Sequence, residues 1–337
     1  MTPWSISVLG ARIDPGPPPP LAPRRDRRDR RDRREKNGPR VSVVMPTYRR
    51  AHLLGLTIRS ILDQTFRDFE LLIRDDGKEG DGTEEAVSKA AAGDPRVHYH
   101  RNTKNLGMPG NLNGGIEASS GEYIAVCHDH DLYAPHYIER LVALLDRRPS
   151  ALFAHCGIEI VDQDGRPLGD QIVGPWAELT AGRAWLDVML RDFHCPVCAL
   201  ALVRREAHEQ HGLYHPAYGF IADVEMWMRL SEAGDVAFAA EPLVRVRTRE
   251  DDHAVTADSW PVLASTLAIH RRYVPRRFRG LDGVLRRIKL DARADLTIAR
   301  ELASRARHGR PIAFGKSAPR IRAFAGPVGR LLAALLP

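Results

Sequence analysis

Residues 127–135 read CHDHDLYAP, four alternating histidines and aspartates placed directly after the apolar run YIAV. Carboxylates and imidazoles at the mouth of a buried strand can hold a divalent cation, and a solvated turn is the plain alternative. In an extended strand alternate side chains share a face, so Asp129 and Asp131 are expected to point one way and His128 and His130 the other. Three further stretches carry reactive side chains. VVMPTY ends in Pro46, Thr47 and Tyr48, LLIRDDGKEGDGT presents Asp75 and Asp76, and FIADVEMWMR presents Asp223 one helical turn from Trp227 and close to Arg229. The Gly-rich loop is not a phosphate-cradling P-loop, because no Gly-Lys-Ser/Thr follows, and no GxGxxG dinucleotide fingerprint occurs.

These side chains need rigid neighbours, and the hydrophobic pattern supplies them. VSVVMP (41–46) reads as a buried strand, AHLLGLTIRSILDQT (51–65) as a helix and FELLIRD (69–75) as a second strand. EEAVSKAAA reads as a helix, RVHYH as a third strand, the segment after NLG as a third helix and EYIAVC (122–127) as a fourth strand. Strand and helix in alternation build a parallel α/β sheet with right-handed crossovers, which binds ligands at the carboxyl ends of its strands. That rule gathers Thr47–Tyr48, Asp75–Asp76 and the 128–131 cluster on one rim. Further on, LFAHCGIEIVD and ALALVRRE read as strands, DVEMWMRLSEAG as a helix stopped by Gly234, and VAFAAEPLVRVR as a pair of strands bent at Pro242. Beyond about residue 256 the chain reads as helical, with Leu281, Leu285, Ile288, Ala292, Leu296, Ala299 and Leu302 at helical spacing beneath many arginines.

Composition narrows the class. A chain of 337 residues that is 43% apolar can bury a substantial core. No apolar run reaches the roughly 18 to 20 residues that span a bilayer, and the N-terminus lacks a secretory apolar core, so a cytoplasmic location is expected. Four cysteines suit a reducing compartment, and the Cys195–Cys198 pair lacks the second pair that a zinc site needs. The net charge of +7 is divided unevenly: residues 24–40 carry +6, residues 271–337 carry +13, and residues 41–270 carry −12. An acidic core with basic ends argues against nucleic acid as a partner and for a basic appendage meeting an anionic surface. PGPPPP and the RRDRRDRRDRRE repeat mark the first forty residues as tail and linker.

Five motifs in order, VSVVMPTY, LLIRDDGKEGDGT, NLGMPGNLNGGIEASSGEYIAV, HDHDLYAP and IADVEMWMRL, resemble the family 2 glycosyltransferases over residues 41 to about 250. The resemblance implies a GT-A fold, a Rossmann-like, mainly parallel sheet flanked by helices, here with a helical C-terminal extension. It divides the chain into a tail (1–40), a catalytic domain (41–255, with a nucleotide-binding half 41–131 and an acceptor half 132–255) and a basic helical extension (256–337). It implies a nucleoside-diphosphate sugar donor, Mn2+ or Mg2+, and transfer with inversion to a hydroxyl of a glycan or lipid-linked acceptor.

In those roles Tyr48 stacks on the nucleobase while Asp76 accepts the imide N–H of uracil or thymine, with Pro46 and Thr47 shaping the turn. The Asp75–Asp76 pair can equally cap the next helix. Asn111 lies on the helix that approaches the donor, and Asn113 reads as surface polarity. Asp223 matches the general base, Trp227 offers an acceptor-side platform, and Arg229 either contacts the diphosphate or pairs with a core carboxylate. Asp223 can also be simply a first-turn acid complementing its helix dipole.

Two departures from the family pattern stand out. His128 and His130 occupy the places where the family commonly has aspartates, so either the turn presents Asp129 and Asp131 with His130 beside them, the favoured reading, or His130 ligates the metal. Ala222 stands where a glutamate often precedes the base. These departures leave a non-catalytic nucleotide-sugar or glycan-binding protein as an alternative. A sugar-1-phosphate nucleotidyltransferase is a further one, although VVMPTYRR lacks the glycines of its first loop. The basic C-terminal helix can pack on the catalytic domain or meet an anionic membrane surface at the inner face of the cell membrane.

Overall fold

The computed structural model describes residues 17–20, 38–172, 174, 176–192, 195, 197, 201–248, 260–309, 314, 317–319, 321 and 325–335. The Arg-Asp repeat and Cys198 lie outside them. The chain divides into two compact units. The larger, Pro18–Pro216 with Ala222–Asp252, is built on a ten-stranded sheet.

Its first half alternates as the hydrophobic pattern requires: β1 (Val41–Thr47), α1 (Ala51–Leu62), β2 (Phe69–Asp75), α2 (Thr83–Ala91), β3 (Val97–Arg101), α3 (Gly107–Ala118) and β4 (Tyr123–Val126). The helix read over 51–65 stops at Leu62, after which the Asp63 N–H donates to the Arg59 carbonyl and the Gln64 N–H to the Ile61 carbonyl. α1 buries Leu54, Ile58 and Ile61, a stripe at helical spacing, against the sheet.

There follow β5 (Leu132–Tyr133), α4 (Tyr137–Arg147), β6 (Ala151–Val161), β7 (Pro167–Ile172), β8 (Leu179–Thr180), α5 (Gly182–Asp192), β9 (Ala201–Arg204), α6 (Arg205–His211), α7 (Ala222–Ala233) and β10 (Asp235–Arg247). β10 is one strand rather than two; the bend expected at Pro242 is taken up as register shifts against β6 between Ala239 and Val244. Proline cannot donate to the ladder, so the strand bulges without ending.

The strand order is β3-β2-β1-β4-β9-β6-β10-β5, with β7 paired to β6 and β8 to β10. β3, β2, β1 and β4 run parallel, whereas β9 enters antiparallel between β4 and β6. The sheet is therefore mixed rather than simply parallel.

Register decides where the chemistry lies. Thr47 pairs with Asp75, and Asp75 with Arg101, so three carboxyl ends finish level. α3 presses closely onto β1 because Gly115 has no side chain; a Cβ there would come within 2.3 Å of Val44 Cγ1. The prolines are not all tail: Pro18 and Pro19 are half-buried, and the Pro19 carbonyl accepts the Leu213 N–H at 2.8 Å.

The second unit comprises the described residues of Met1–Pro17, Ala217–Ile221 and His253–Pro337. It contains α8 (Trp260–Arg277), α9 (Gly280–Arg307) and α10 (Pro327–Leu335). No helix among the described residues is long and apolar enough to cross a membrane.

Candidate active site

At the end of β1, Thr47 is buried, Pro46 half-buried and Tyr48 exposed, with the Arg49 guanidinium 5.1 Å from the Tyr48 ring centroid. An exposed aromatic ring can stack on a flat partner. At the end of β2 the two aspartates divide the work. Asp75 is wholly buried and engaged inside the protein, accepting from the Gly77 N–H at 2.7 Å and the Tyr99 hydroxyl at 2.7 Å, with Arg101 3.7 Å away. It shapes the turn and has no free face for a ligand, which corrects its assignment to nucleotide binding. Burial, and then the bond to Asp75, push the Tyr99 phenol up, so it remains a donor.

Asp76 accepts from Asn102 Nδ2 at 2.6 Å and from the Leu106 N–H at 3.2 Å, while its own N–H donates to the Thr47 carbonyl. Asn102 also donates to Asn111 Oδ1 at 2.8 Å and accepts from Arg74 at 2.9 Å, and Asn111 Nδ2 donates to the Arg74 carbonyl. This network binds β1, β2 and α3 into one wall. Asn111 thus holds Asp76 in place through Asn102. Arg74 and Asn102 escaped sequence reasoning because neither belongs to a recognisable spacing. Asn113 is not surface polarity: it is buried and pairs reciprocally with the backbone of Tyr214, at 2.9 Å and 2.8 Å.

After β4 the chain turns, and the alternation expected of an extended strand is lost. The His128 and His130 rings stack at 4.9 Å, His128 Nδ1 lies 3.0 Å from Asp131 Oδ2, and His130 Nε2 lies 3.7 Å from Asp131 Oδ1. One ligand atom from each of His128, His130 and Asp131 falls within 4.8 Å of the others. Asp129, expected beside Asp131, turns instead to Arg50 at 3.0 Å and to His130 Nδ1 at 2.8 Å. The histidines therefore share the cluster with one carboxylate rather than standing behind two.

Burial would push Asp129 up, but the His130 bond and the Arg50 charge outweigh it and hold the carboxyl at about 2. Asp131 is likewise held low, its burial outweighed by His128, His130 and the Arg247 N–H. Burial draws His130 down against the pull of Asp129, which leaves a ring nitrogen free of its proton and able to ligate. One further atom points to a missing partner. Asp129 Oδ2 is buried without a hydrogen bond, as is Thr47 Oγ1, which lies near enough to help hold Asp129 low. Two imidazoles and a carboxylate make a mixed nitrogen-oxygen donor set that suits Mn2+ better than the all-oxygen shell favoured by Mg2+.

Arg247, at the end of β10, locks this turn. Its N–H donates to Asp131 Oδ1 at 3.2 Å, its guanidinium to the His130 carbonyl, and then to the Leu53 carbonyl and Thr57 Oγ1 of α1 at 2.9 and 2.8 Å. Nothing in the spacing around Arg247 signals this role.

Asp223 opens α7 and is half-buried. Burial pushes its carboxyl up, opposed by the Val224 N–H and by the charge of His128. That influence of His128 links the base candidate electrostatically to the histidine-aspartate turn. Its other close influence is on Tyr214, whose phenol burial and then Asp223 push up.

The sequence profile of the glycosyl transferase family 2 matches residues 42–212, just over half of the chain. The chain belongs to this family. A putative teichuronic acid biosynthesis glycosyltransferase, TuaG, of Bacillus subtilis is 25% identical over 233 residues, 69% of this chain and 88% of that protein. Other curated relatives, uncharacterised glycosyltransferases of three Rickettsia species, are matched over only about a third of their own length. Among solved structures, S. aureus TarS 1–349 in complex with UDP-GlcNAc superposes with a TM-score of 0.62 at 15% identity, covering 88% of this chain and 84% of that one. The mannosyltransferase PcManGT of Pyrobaculum calidifontis, in complex with GDP-Man and Mn2+, gives a TM-score of 0.54 at 18% identity, covering 88% and 86%. The fold is thus of the GT-A type.

In this glycosyltransferase two assignments on α7 need correction. Trp227 is no acceptor platform, since it is wholly buried with its ring 5.0 Å from Phe153 and edge-on to Tyr214. Arg229 does not reach for a diphosphate: it pairs with buried Glu225 at 3.0 Å and donates to the carbonyls of His211, Gly212 and Leu213. Every N–H of that guanidinium is engaged in closing the loop before α7.

Proposed function

We propose that the protein is an inverting glycosyltransferase that moves a sugar from a UDP- or dTDP-sugar to a hydroxyl of a glycan or lipid-linked acceptor, with Asp223 as general base. The observation that carries this reading is a desolvated carboxylate, Asp223, under the electrostatic influence of His128 in the turn where a cation would sit. Tyr48 would stack on the nucleobase and Asp76, fixed by Asn102 and Leu106, would accept its imide N–H.

Asp131, His130 and His128 would hold Mn2+ or Mg2+, which when bound neutralises charge developing on the departing diphosphate. Asp223 takes the proton from the acceptor hydroxyl as its oxygen bonds to the anomeric carbon. The bond from that carbon to the diphosphate oxygen breaks, and the nucleoside diphosphate leaves with the electron pair. A single displacement from the opposite face inverts the anomeric centre. A base whose pKa is raised by burial is matched to proton abstraction nearer neutrality than a solvated aspartate.

The TarS complex with UDP-GlcNAc supports a uridine donor, the PcManGT complex supports Mn2+, and the TuaG description supports polysaccharide biosynthesis. The test is a panel of UDP-, dTDP- and GDP-sugars with Mn2+, Mg2+ or EDTA, following nucleotide release and the anomeric configuration of the product by NMR. Metal-dependent release of nucleoside diphosphate with inversion is expected. Retention of configuration, pyrophosphate exchange or binding without turnover would overturn the proposal.

A further inference from the structure

α9 has two apolar faces, and only one is buried. At about 100° per residue, Gly283, Leu290, Ala294 and Ile298 lie on one side and are covered within the helical unit. Leu281, Val284, Leu285, Ile288 and Leu296 fall within an arc of about 120° on the other side, and they are between 50% and 75% exposed. The spacing seen in the sequence thus marks the outward stripe rather than the packing seam. Along one edge of that stripe Lys289, Arg293, Arg300 and Arg307 share an arc of about 40° and are all exposed.

The other edge is bordered by α10. Asp295 of α9, which falls inside the same arc at its Val284 edge, accepts the N–H groups of Val328 and Gly329 and so docks the start of α10 along that edge. α10 then adds Val328, Leu331 and Leu335, exposed at i, i+3 and i+7. The two helices together leave eight large apolar side chains uncovered on a segment, residues 271–337, whose charge is +13.

We propose that α9 and α10 form a membrane-surface anchor, with the leucine-isoleucine stripe lying in the headgroup and upper acyl region of an anionic bilayer and the Lys289–Arg307 ridge meeting lipid phosphates. Aliphatic side chains edged by a row of cations match the layered chemistry of such an interface, apolar inside and anionic outside. A second copy is the poorer occupant, because closing two of these faces together would also bring two cationic ridges close in low dielectric. The helices lie on the bilayer and do not cross it, since neither is apolar enough to span. This surface is independent of the donor chemistry and stands or falls apart from it.

Co-sedimentation of the full chain with phosphatidylglycerol/phosphatidylcholine vesicles, against phosphatidylcholine alone, tests it. Binding to the anionic vesicles is expected, with weakening in about 0.5 M NaCl as the Debye length shrinks. Leu285→Glu with Ile288→Glu should lower partitioning at least tenfold. Lys289→Gln with Arg300→Gln should lower it about fivefold for each charge removed. Because all four positions are exposed, melting temperature and donor turnover should stay at the wild-type level, which excludes misfolding as the cause. Three results would each overturn the inference: the wild type remaining in the supernatant with anionic vesicles, partitioning indifferent to the apolar pair, or the apolar pair abolishing a light-scattering dimer while leaving vesicle binding intact.

Discussion

Replacing Asp223 by asparagine should slow transfer and stabilise the protein at the same time. Among the described residues no cation lies within ion-pair distance of this carboxylate, and burial dominates its environment. Its pKa is therefore higher folded than unfolded, and the folded state binds more protons. By linkage, stability falls as pH climbs from the unfolded aspartate value, near 4, through the raised native value. Asparagine keeps an oxygen to accept the Val224 N–H and has no charge to desolvate. At neutral pH the variant is expected to melt above wild type, with the difference vanishing as pH falls toward the unfolded aspartate value.

Turnover should fall by about 10² to 10⁴, the usual contribution of a positioned base, while UDP affinity stays within about twofold because the nucleotide wall is elsewhere. Scanning fluorimetry between about pH 4 and pH 8, paired with single-turnover donor assays, reads both effects. A variant that melts lower than wild type with an unchanged pH slope would show that the carboxylate is paired rather than desolvated. A variant with full turnover would remove Asp223 from the chemistry.

Asp131→Ala should abolish the Mn2+-dependent part of nucleotide binding, measured by calorimetry with and without EDTA, and leave the metal-independent part. Tyr48→Ala should weaken UDP binding about 5- to 100-fold, the range of one lost base-aromatic stack, without moving the melting temperature, since the ring is exposed. Arg229→Ala should do the reverse: stranding buried Glu225 costs about 3 to 5 kcal/mol in chemical denaturation, yet the UDP affinity of the folded fraction should be unchanged.

The sequence was legible where one period or one motif decided the answer. Val41–Thr47 and Phe69–Asp75 announce themselves as buried strands, and their shared register places Thr47 beside Asp75 as the strand-end rule requires. Asp223 was singled out by its place in a recognisable motif, IADVEMWMRL, ahead of Glu225. Side-chain direction was less legible. Asp129 and Asp131 were expected to act as a pair because alternation holds in a strand, but residues 129 and 130 form a turn, where period two has no meaning. Trp227 and Arg229 share a helix with Asp223, and periodicity cannot tell which face of α7 meets the sheet. Asn102, Arg50 and Arg247 were invisible, since the bonds that give each its role join segments that only the fold brings together.

The clamp made by Arg247 ties the maturation of the centre to the end of the catalytic unit. The family profile stops at residue 212, but the guanidinium that fastens the 130–131 turn to α1 arrives on a strand that begins at Asp235. A fragment ending where the profile ends would retain the histidines and aspartates while losing their fastening. Cation capture should therefore appear late during refolding, once β10 has zipped onto β6, and limited proteolysis within β10 should release bound Mn2+ before it disturbs the nucleotide wall.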